Sequence, residues 1–444
     1  MLKSERRALW LPTLLIFALL LSIPLTLKRV YSVLNDLTGA DRRTVLGIYG
    51  EIQTRDGTIL MDQDGSTPYA LVSDLVGGKG EGTGINVNTL YYQYADELTP
   101  TIGLLGGISR AAQTGNVMTT TLISPQALQR LCDAYAGGSG AVYAYNYTTG
   151  EVLIALSVRS EGSTAEDLNR CLGEVHVPGS TMKIVTSLLA ANQDFSLIDN
   201  LSVYCGNGTV GFTKGEGVSC DQGPHGTLNY VSALGNSCNK AFAALATSLN
   251  LNDAKKTLNS WGVATDGSIP TYRLGELTRL GSSMNITSSE DGHSVWGFIG
   301  QGDTQMSFLD IAMIAGSIAN GGTAATPYIV DSISDGTTSD RSLYEASPQQ
   351  QTFVSAEVAN GLYVRWREMT NTYYRGRFRD VPESITACKT GTAQMGCSDT
   401  YNSLLLGIME DQHVAFVIMV DDFQNAVHAV EISSTLSDII QELS

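Results

Sequence analysis

The chain has 444 residues and a formal net charge of -17, and only 16% of its residues are charged. A chain this acidic repels phosphate backbones, so we do not expect nucleic acid as a partner. The length allows two or three domains with a large buried core, and the low charge with abundant glycine predicts a compact, loop-rich body.

The N-terminus carries an uncharged apolar run over residues 8–27, ALWLPTLLIFALLLSIPLTL. About 20 residues is the length that crosses the hydrocarbon of a bilayer as a helix. A cleaved signal peptide is the alternative, but its apolar region is usually shorter and ends at small residues, whereas this run ends at Lys28 and Arg29. We therefore predict a short tail over residues 1–7 and an uncleaved transmembrane anchor over residues 8–27. The flanking charges are nearly balanced, so they orient the span only weakly.

The stretch after the anchor, residues 28–118, has short alternating apolar segments, glycine clusters and few long helical patterns. Five glycines between Gly77 and Gly84 predict a loop. We interpret this stretch as a small membrane-proximal region that precedes the main domain at residues 119–444.

The main domain shows strand patterns first, helical patterns in the middle and strand patterns again before a closing helix. Because the strands come from both ends, we predict an α+β fold with one sheet assembled from both ends of the domain. The predicted helices are 126–135, 180–191, 239–250, 304–319, 356–369 and 430–443, and the predicted strands are 141–145, 151–158, 384–390, 403–409 and 414–420.

The seven cysteines are Cys132, Cys171, Cys205, Cys220, Cys238, Cys388 and Cys397. None forms a C-x-x-C pair, and the five histidines do not fall at metal-ligand spacing, so we do not expect a zinc site. Cys205 and Cys220 bracket a glycine-rich stretch. A disulfide between them and a pair of reduced thiols both fit the sequence, because proximity along the chain does not establish disulfide geometry.

The first of three segments that carry chemistry is PGSTMK, residues 178–183. Three residues make about one helical turn, so Ser180 and Lys183 share a face of the helix that begins here. A serine hydroxyl is a poor nucleophile until a base is held against it, and a lysine can be that base only when neutral. Taken alone the segment is a weak signal, because an ordinary helix N-cap also explains Ser180.

The second segment is SCN at residues 237–239, which opens another apolar helix, and the third is KTGT at residues 389–392, inside a β-rich run. Lys389 on a strand can supply the cation that lowers the pKa of Lys183 and can anchor an anionic substrate. Gly391 leaves room for a ligand against the strand. K-T-G is expected by chance only about 0.1 times in this length. The occurrence of all three segments in order therefore favours a single active site over unrelated helix N-caps and an ordinary strand lysine.

Together the segments resemble the S-x-x-K, S-D-N and K-T-G set of the penicillin-interacting serine enzymes. Residues 118–444 resemble the transpeptidase domain of class B penicillin-binding proteins. The resemblance implies a transpeptidase/β-lactamase-like fold, in which helices flank an antiparallel sheet and a further part is all-helical. The strand-turn-strand 141–156, the approach to the second motif from His225 and the GQG segment 300–302 support this resemblance. The membrane-proximal region is shorter than the pedestal of many such proteins, which leaves dimerisation and partner contacts open.

The resemblance implies a role for each motif residue. Ser180 would attack the carbonyl of a D-Ala-D-Ala-like peptide end, with Lys183 as general base. Ser237 would relay a proton to the leaving amine, and Asn239 would hydrogen-bond Lys183 and the substrate amide. An amine from a second peptide would then resolve the acyl-enzyme, and a β-lactam would be trapped at that step.

The third motif would bind substrate. The resemblance implies that Lys389, Thr390 and Thr392 hold the terminal carboxylate, and that the backbone amides of Ser180 and Thr392 form an oxyanion hole. It also implies no cofactor and no metal, peptidoglycan stem peptides as substrate, a place at the cell membrane with the catalytic domain outside the cytoplasm, and a membrane wall polymerase as partner.

Other functions fit less well. A membrane-bound β-lactamase shares the motifs but needs a base for deacylation by water, which residues 184–300 do not obviously offer. A membrane β-lactam sensor needs an output domain, and seven residues precede the apolar run. Intact motifs argue against a scaffold with a dead site. We therefore expect a serine-type D,D-transpeptidase, with the β-lactamase and the sensor as alternatives.

Overall fold

The computed structural model describes residues 49–78, 87–99, 115–159, 168–220, 222–336, 341–375, 381–394, 400–423 and 427–443. The predicted tail and anchor, residues 1–27, lie outside the described residues, as does Cys397. Within those described ranges, no helix has both the length and the apolar character that crossing a membrane requires.

Strands and helices of the described chain are numbered separately in chain order. The strands are β1 (Glu51–Gln53), β2 (Ile59–Met61), β3 (Val117–Thr120), β4 (Gly140–Asn146), β5 (Val152–Val158), β6 (Val203–Cys205), β7 (Gly226–Leu228), β8 (Thr271–Leu274), β9 (Leu277–Leu280), β10 (Thr323–Ala325), β11 (Val330–Ser334), β12 (Ser342–Glu345), β13 (Gln350–Thr352), β14 (Ala387–Gln394), β15 (Tyr401–Met409) and β16 (Val414–Val420). The α-helices are α1 (Ser73–Val76), α2 (Leu90–Gln93), α3 (Ala95–Leu98), α4 (Pro125–Ala134), α5 (Arg170–Gly173), α6 (Met182–Gln193), α7 (Ser196–Asp199), α8 (Tyr230–Gly235), α9 (Asn239–Thr247), α10 (Leu251–Ser260), α11 (Gly292–Ile299), α12 (Phe308–Ala319), α13 (Ala356–Met369) and α14 (Ala429–Glu442).

The main sheet of the described chain has the strand order β14-β15-β16-β4-β5, and each neighbouring pair is antiparallel. Two of its strands come from the start of the main domain and three from its end, which confirms the prediction of one sheet built from both ends. Every residue of β5 and β16 is buried. Because successive side chains point to opposite faces, both faces of the sheet are covered, and α12 and α14 both pack on it.

The predicted helices are present, but side-chain caps move some of their ends. The helix predicted from residue 304 begins at Phe308, because the Ser307 side chain accepts a hydrogen bond from the backbone amide of Asp310. The helix predicted over residues 239–250 ends at Thr247, because Asn250 caps the next helix, α10. A helix stops where a polar side chain offers its backbone amides a better partner.

A second sheet joins the region before residue 118 to the main domain. Among the described strands its order is β12-β11-β3-β1-β2, in which β3 pairs with β1 in parallel and with β11 antiparallel. The boundary expected at residue 118 therefore falls inside β3. Ile52, Met118 and Ile333, from β1, β3 and β11, are fully buried. The described part of the stretch 28–118 thus shares one sheet with β11 and β12.

Polar contacts outside this sheet fasten the same region to the main domain. The side-chain amide of Asn88 donates to the Thr278 carbonyl at 2.7 Å and accepts from the Thr278 amide at 2.7 Å. The buried Asp74 accepts hydrogen bonds from Ser157 and Arg159. Burial raises the pKa of the Asp74 carboxyl, and hydrogen bonds from Ser157, Asn169 and Arg159 oppose this shift.

We predict that a chain beginning at residue 119 unfolds at a lower temperature than a chain beginning at residue 49. The shorter chain leaves β11 without β3 and exposes the apolar side chain of Ile333, and unpaired strand edges promote aggregation. Thermal unfolding followed by circular dichroism, with light scattering for aggregation, measures the difference. Equal melting temperatures and equal solubility would show that the main domain is independent of β1–β3.

Candidate active site

Ser180 lies in a 3₁₀ turn, Gly179–Thr181, that leads directly into α6. Lys183, in the first turn of α6, is completely buried, whereas Ser180 is partly exposed. The Lys183 Nζ atom lies 2.9 Å from the Ser180 Oγ atom. The prediction that these two side chains share a helix face is confirmed, and the hydroxyl is both accessible and in contact with an amine.

The amine of Lys183 has four oxygen neighbours from described residues. The Ser237 carbonyl at 2.7 Å and the Asn239 Oδ1 atom at 2.8 Å can only accept, whereas the hydroxyls of Ser180 at 2.9 Å and Ser237 at 3.1 Å can also donate. A neutral amine has two hydrogens for the two carbonyl oxygens and a lone pair for a hydroxyl hydrogen. The arrangement therefore suits Lys183 as a proton acceptor.

Ser237 occupies the turn between α8 and α9 in a left-handed conformation, with φ of 52°. This conformation costs a non-glycine residue on the order of 1–3 kcal/mol. Its amide donates to the Leu234 carbonyl at 3.1 Å, and the Cys238 amide donates to the Ala233 carbonyl at 2.9 Å. The surrounding turn holds the strained backbone so that the Ser237 carbonyl and hydroxyl both contact Lys183.

Lys389 extends from β14 and brings a second buried amine to the same hydroxyl. Its Nζ atom lies 3.1 Å from Ser237 Oγ, 3.1 Å from the Tyr374 hydroxyl and 2.9 Å from the Thr390 carbonyl. Burial lowers the pKa of Lys389 to about 7, and the neighbouring Cys388 opposes this shift. The structure thus brings together Ser180, Lys183, Ser237, Asn239 and Lys389, the predicted catalytic residues.

Tyr374 is a site residue that the sequence analysis missed. It ends a π-helical turn, Thr370–Tyr374, after α13, and its hydroxyl contacts Lys389 Nζ, the Thr390 hydroxyl at 2.9 Å and the Thr390 amide at 3.3 Å. No motif or spacing marks this tyrosine, since only the packing of α13 beside β14 brings it to the third motif. Its contacts fix the position of the Lys389 amine.

Two glycines let the first and third motifs approach each other through their backbones. A Cβ atom on Gly179, which has φ of 52°, would lie 2.6 Å from the Thr392 carbonyl oxygen. A Cβ atom on Gly391 would lie 2.9 Å from the Pro178 carbonyl oxygen. Gly391 was expected to leave room for a ligand; the structure shows that it leaves room for the turn that carries Ser180.

The remaining residues of the third motif differ in exposure. The Thr390 hydroxyl is half-exposed and bonded to Tyr374, and Thr392 is exposed at the mouth of the site. Gln301, from the predicted GQG segment, donates to the Thr392 carbonyl at 3.3 Å. The segments that carry the Ser180 and Thr392 amides are in contact, and the oxyanion hole formed by those amides stays a prediction.

Behind the second motif, four potential metal ligands converge. Ligand atoms of Cys205, Cys220, His225 and Cys238 all lie within 4.8 Å of one another. The spacing of these residues in the sequence did not indicate the cluster, because they come from three segments of the chain that only the fold brings together. Cys205 and Cys220 form no disulfide with each other in this structure.

Comparison with known families identifies the domain. Residues 140–438, more than half of the chain, match the family model of the penicillin-binding protein transpeptidase domain. The chain belongs to this family. The transpeptidase domain so defined contains all three motifs and the complete main sheet.

Relatives and solved structures agree with this assignment. The chain is 27% identical over 357 residues to the peptidoglycan D,D-transpeptidase PbpA of Mycolicibacterium smegmatis, a match that covers 70% of this chain and 68% of the relative. It is 26% identical over 326 residues to the protein of the same name from Mycobacterium tuberculosis, covering 65% of this chain and 62% of the relative. The fold is similar to that of M. tuberculosis penicillin-binding protein A in a ceftriaxone acyl-enzyme complex, with a TM-score of 0.71, 21% identity and coverage of 89% and 98% of the two chains.

We predict that Tyr374→Phe slows acylation by a β-lactam about 10- to 100-fold, because a hydrogen bond to a charged group contributes about 1.5–3 kcal/mol. Tyr373→Phe is the matched control. The Tyr373 ring packs against Gly235, so removing its hydroxyl should leave the rate unchanged. The measurement is the second-order rate constant of acylation, with circular dichroism to confirm folding. A wild-type acylation rate in both variants would show that the Tyr374 hydroxyl does not contribute to acylation.

We also predict that this rate constant falls about tenfold per pH unit above pH 7 for a β-lactam that carries a carboxylate. Burial lowers the pKa of Lys389 to about 7, so its cation is present below that pH and is lost above it. The second-order constant reports the free enzyme. The methyl ester of the same β-lactam, which needs no cation, is the control. A flat alkaline profile for the carboxylate would contradict this role of Lys389.

Proposed function

We propose that the chain is a peptidoglycan D,D-transpeptidase that forms an acyl-enzyme on Ser180 with D-Ala-D-Ala stem peptides, cross-links them and is covalently inhibited by β-lactams. The observation that carries this proposal is the contact of Ser180 Oγ with Lys183 Nζ, beside a Ser237 hydroxyl that two lysine amines share. Membership of the transpeptidase family and the name of the curated relatives support it.

The first half-reaction begins with Ser180. Its hydroxyl proton passes to the neutral amine of Lys183, 2.9 Å away, as the oxygen attacks the carbonyl carbon of the penultimate D-Ala. The carbonyl oxygen becomes an oxyanion, and backbone amides of Ser180 and Thr392 would stabilise it. The two acceptors fixed on Lys183, the Ser237 carbonyl and Asn239 Oδ1, hold the new ammonium in place.

Collapse of the oxyanion breaks the peptide bond. The leaving nitrogen needs a proton, and the Ser237 hydroxyl can pass one on because Lys183 Nζ lies 3.1 Å away on its other side. Terminal D-Ala departs as a neutral amine with its carboxylate, and Ser180 keeps the acyl group as an ester. The amine of a second stem peptide then attacks this ester, the same relay runs in reverse, and the cross-linked peptide leaves Ser180 with its proton restored.

The third motif orients the substrate. A D-Ala carboxylate that lies along β14 meets the hydroxyls of Thr390 and Thr392 and the positive charge of Lys389 beneath them. A β-lactam carboxylate presents the same charge to the same groups. An anion near the buried amine of Lys389 favours its protonated form, so binding and charge support each other.

The cellular setting is a further part of the proposal. The apolar run at residues 8–27 supports a single-pass membrane anchor, and the substrate supports a catalytic domain outside the cytoplasm. Cross-linking requires new peptidoglycan chains that are not yet cross-linked. The proposed partner is therefore a membrane wall polymerase that supplies them. A membrane-bound β-lactamase and a β-lactam sensor remain the alternative functions.

The lifetime of the penicillin adduct separates these functions. We predict that a fluorescent penicillin labels the chain covalently and that the label persists for hours. Ser180→Ala should abolish labelling without changing the temperature at which the chain unfolds. Loss of the label within seconds, with release of hydrolysed penicillin, would identify a β-lactamase. Unchanged labelling of Ser180→Ala would refute the assigned nucleophile. A transpeptidase is separated from a sensor by an assay of stem-peptide cross-linking. The wild-type chain should cross-link stem peptides, and Ser180→Ala should not.

A further inference from the structure

A cluster of three thiols and one imidazole lies directly behind the second catalytic motif. It is formed by Cys205 at the end of β6, Cys220 and His225 in the following loop, and Cys238 at the N-cap of α9. Cys205 and Cys238 are fully buried, and Cys220 and His225 are half-buried. We propose that Cys205, Cys220, His225 and Cys238 bind a structural zinc ion, which holds the second motif in its catalytic position.

Two distances between ligand atoms match those of a tetrahedral zinc site, and all four ligand atoms lie within 4.8 Å of one another. With Zn–S bonds of about 2.3 Å and a Zn–N bond of about 2.0–2.1 Å, two sulfur ligands lie about 3.8 Å apart, and a sulfur and a nitrogen lie about 3.6 Å apart. Cys220 Sγ lies 3.9 Å from Cys238 Sγ and 3.6 Å from His225 Nδ1. A disulfide would require about 2.05 Å between the two sulfurs.

The backbone around the cluster holds the ligands together. β6 and β7 pair so that Cys205 is opposite Gly226, and the His225 amide donates to the Cys205 carbonyl at 3.0 Å. A Cβ atom on Gly223 would lie 3.3 Å from the Cys205 sulfur, so a side chain there would crowd the ligands. Gly223 and His225 thus lie against Cys205, and this packing keeps the ligand atoms close together.

The charges near the cluster are also consistent with a bound zinc ion. Three thiolates and a neutral imidazole around Zn²⁺ carry one net negative charge. The largely buried Lys240 donates to the carbonyls of Gly206 at 2.7 Å and Asn207 at 3.3 Å, immediately after Cys205, and so places a cation beside that charge. The N-terminus of α9, which begins after Cys238, favours a thiolate as well.

The position of Cys238 links the metal to the active site. Cys238 lies between Ser237, whose left-handed backbone presents two oxygens to Lys183, and Asn239, whose Oδ1 atom contacts the same amine. A Zn–S bond to Cys238 anchors both neighbours. The zinc ion takes no part in acyl transfer and acts through the second motif.

Metal content of the full chain tests the proposal. The chain is purified under reducing conditions from zinc-supplemented medium, and its metals are measured by inductively coupled plasma mass spectrometry. We expect about one zinc ion per chain in the wild type and in Cys132→Ser, which alters a thiol outside the cluster. Cys205→Ser and His225→Ala should each lose most of the zinc.

Two measurements on the wild type keep the test decisive if a ligand variant fails to fold. Replacement of zinc by cobalt should give the thiolate-to-cobalt charge-transfer absorption of a tetrahedral site. Removal of zinc by a chelator should slow penicillin acylation about 10-fold or more, with recovery when zinc is returned. Wild-type protein that lacks stoichiometric zinc, contains iron instead, or carries a disulfide among Cys205, Cys220 and Cys238 would overturn the proposal, whatever its acylation rate.

Discussion

The site depends on one constraint: two buried amines share one hydroxyl. Lys183 Nζ and Lys389 Nζ each lie 3.1 Å from Ser237 Oγ, so the amines are no more than about 6 Å apart. Two positive charges at that distance repel by about 3 kcal/mol at an effective dielectric constant of about 20. Double protonation is therefore disfavoured about 100-fold, and the proton that one amine holds helps to keep the other amine neutral.

This constraint gives the two lysines different tasks. The contacts of Lys183 are with Ser180 and with two acceptor oxygens, which suits a neutral base that becomes charged during the reaction. The contacts of Lys389 are with the Tyr374 hydroxyl and the Thr390 carbonyl on β14, which suits the cation. Proton transfer through Ser237 can exchange these states without water, because one hydroxyl touches both amines.

The fold provides a strained backbone at Ser237 and a close approach between the backbones of the first and third motifs. Ser237 is held in a left-handed conformation by the turn between α8 and α9, and Gly179 and Gly391 allow two backbones to touch where side chains would separate them. The 3₁₀ turn that leads into α6 packs against β14, and both lysines are completely buried. The cluster of Cys205, Cys220, His225 and Cys238 lies next to this strained turn, because Cys238 follows Ser237 directly.

The sequence by itself determined the three motif segments, the element type that carries each, and a main sheet built from both ends of the domain. These features depend on periodicity and on contacts within one helical turn, which adjacent residues dictate. Only the tertiary structure decided that β3 pairs with β11, that Tyr374 contacts Lys389, that Gly391 faces the turn before Ser180, and that four metal-ligating residues meet. Each of these contacts joins residues from separate elements of the chain, so it is set by how helices and strands pack and leaves no local pattern in the sequence.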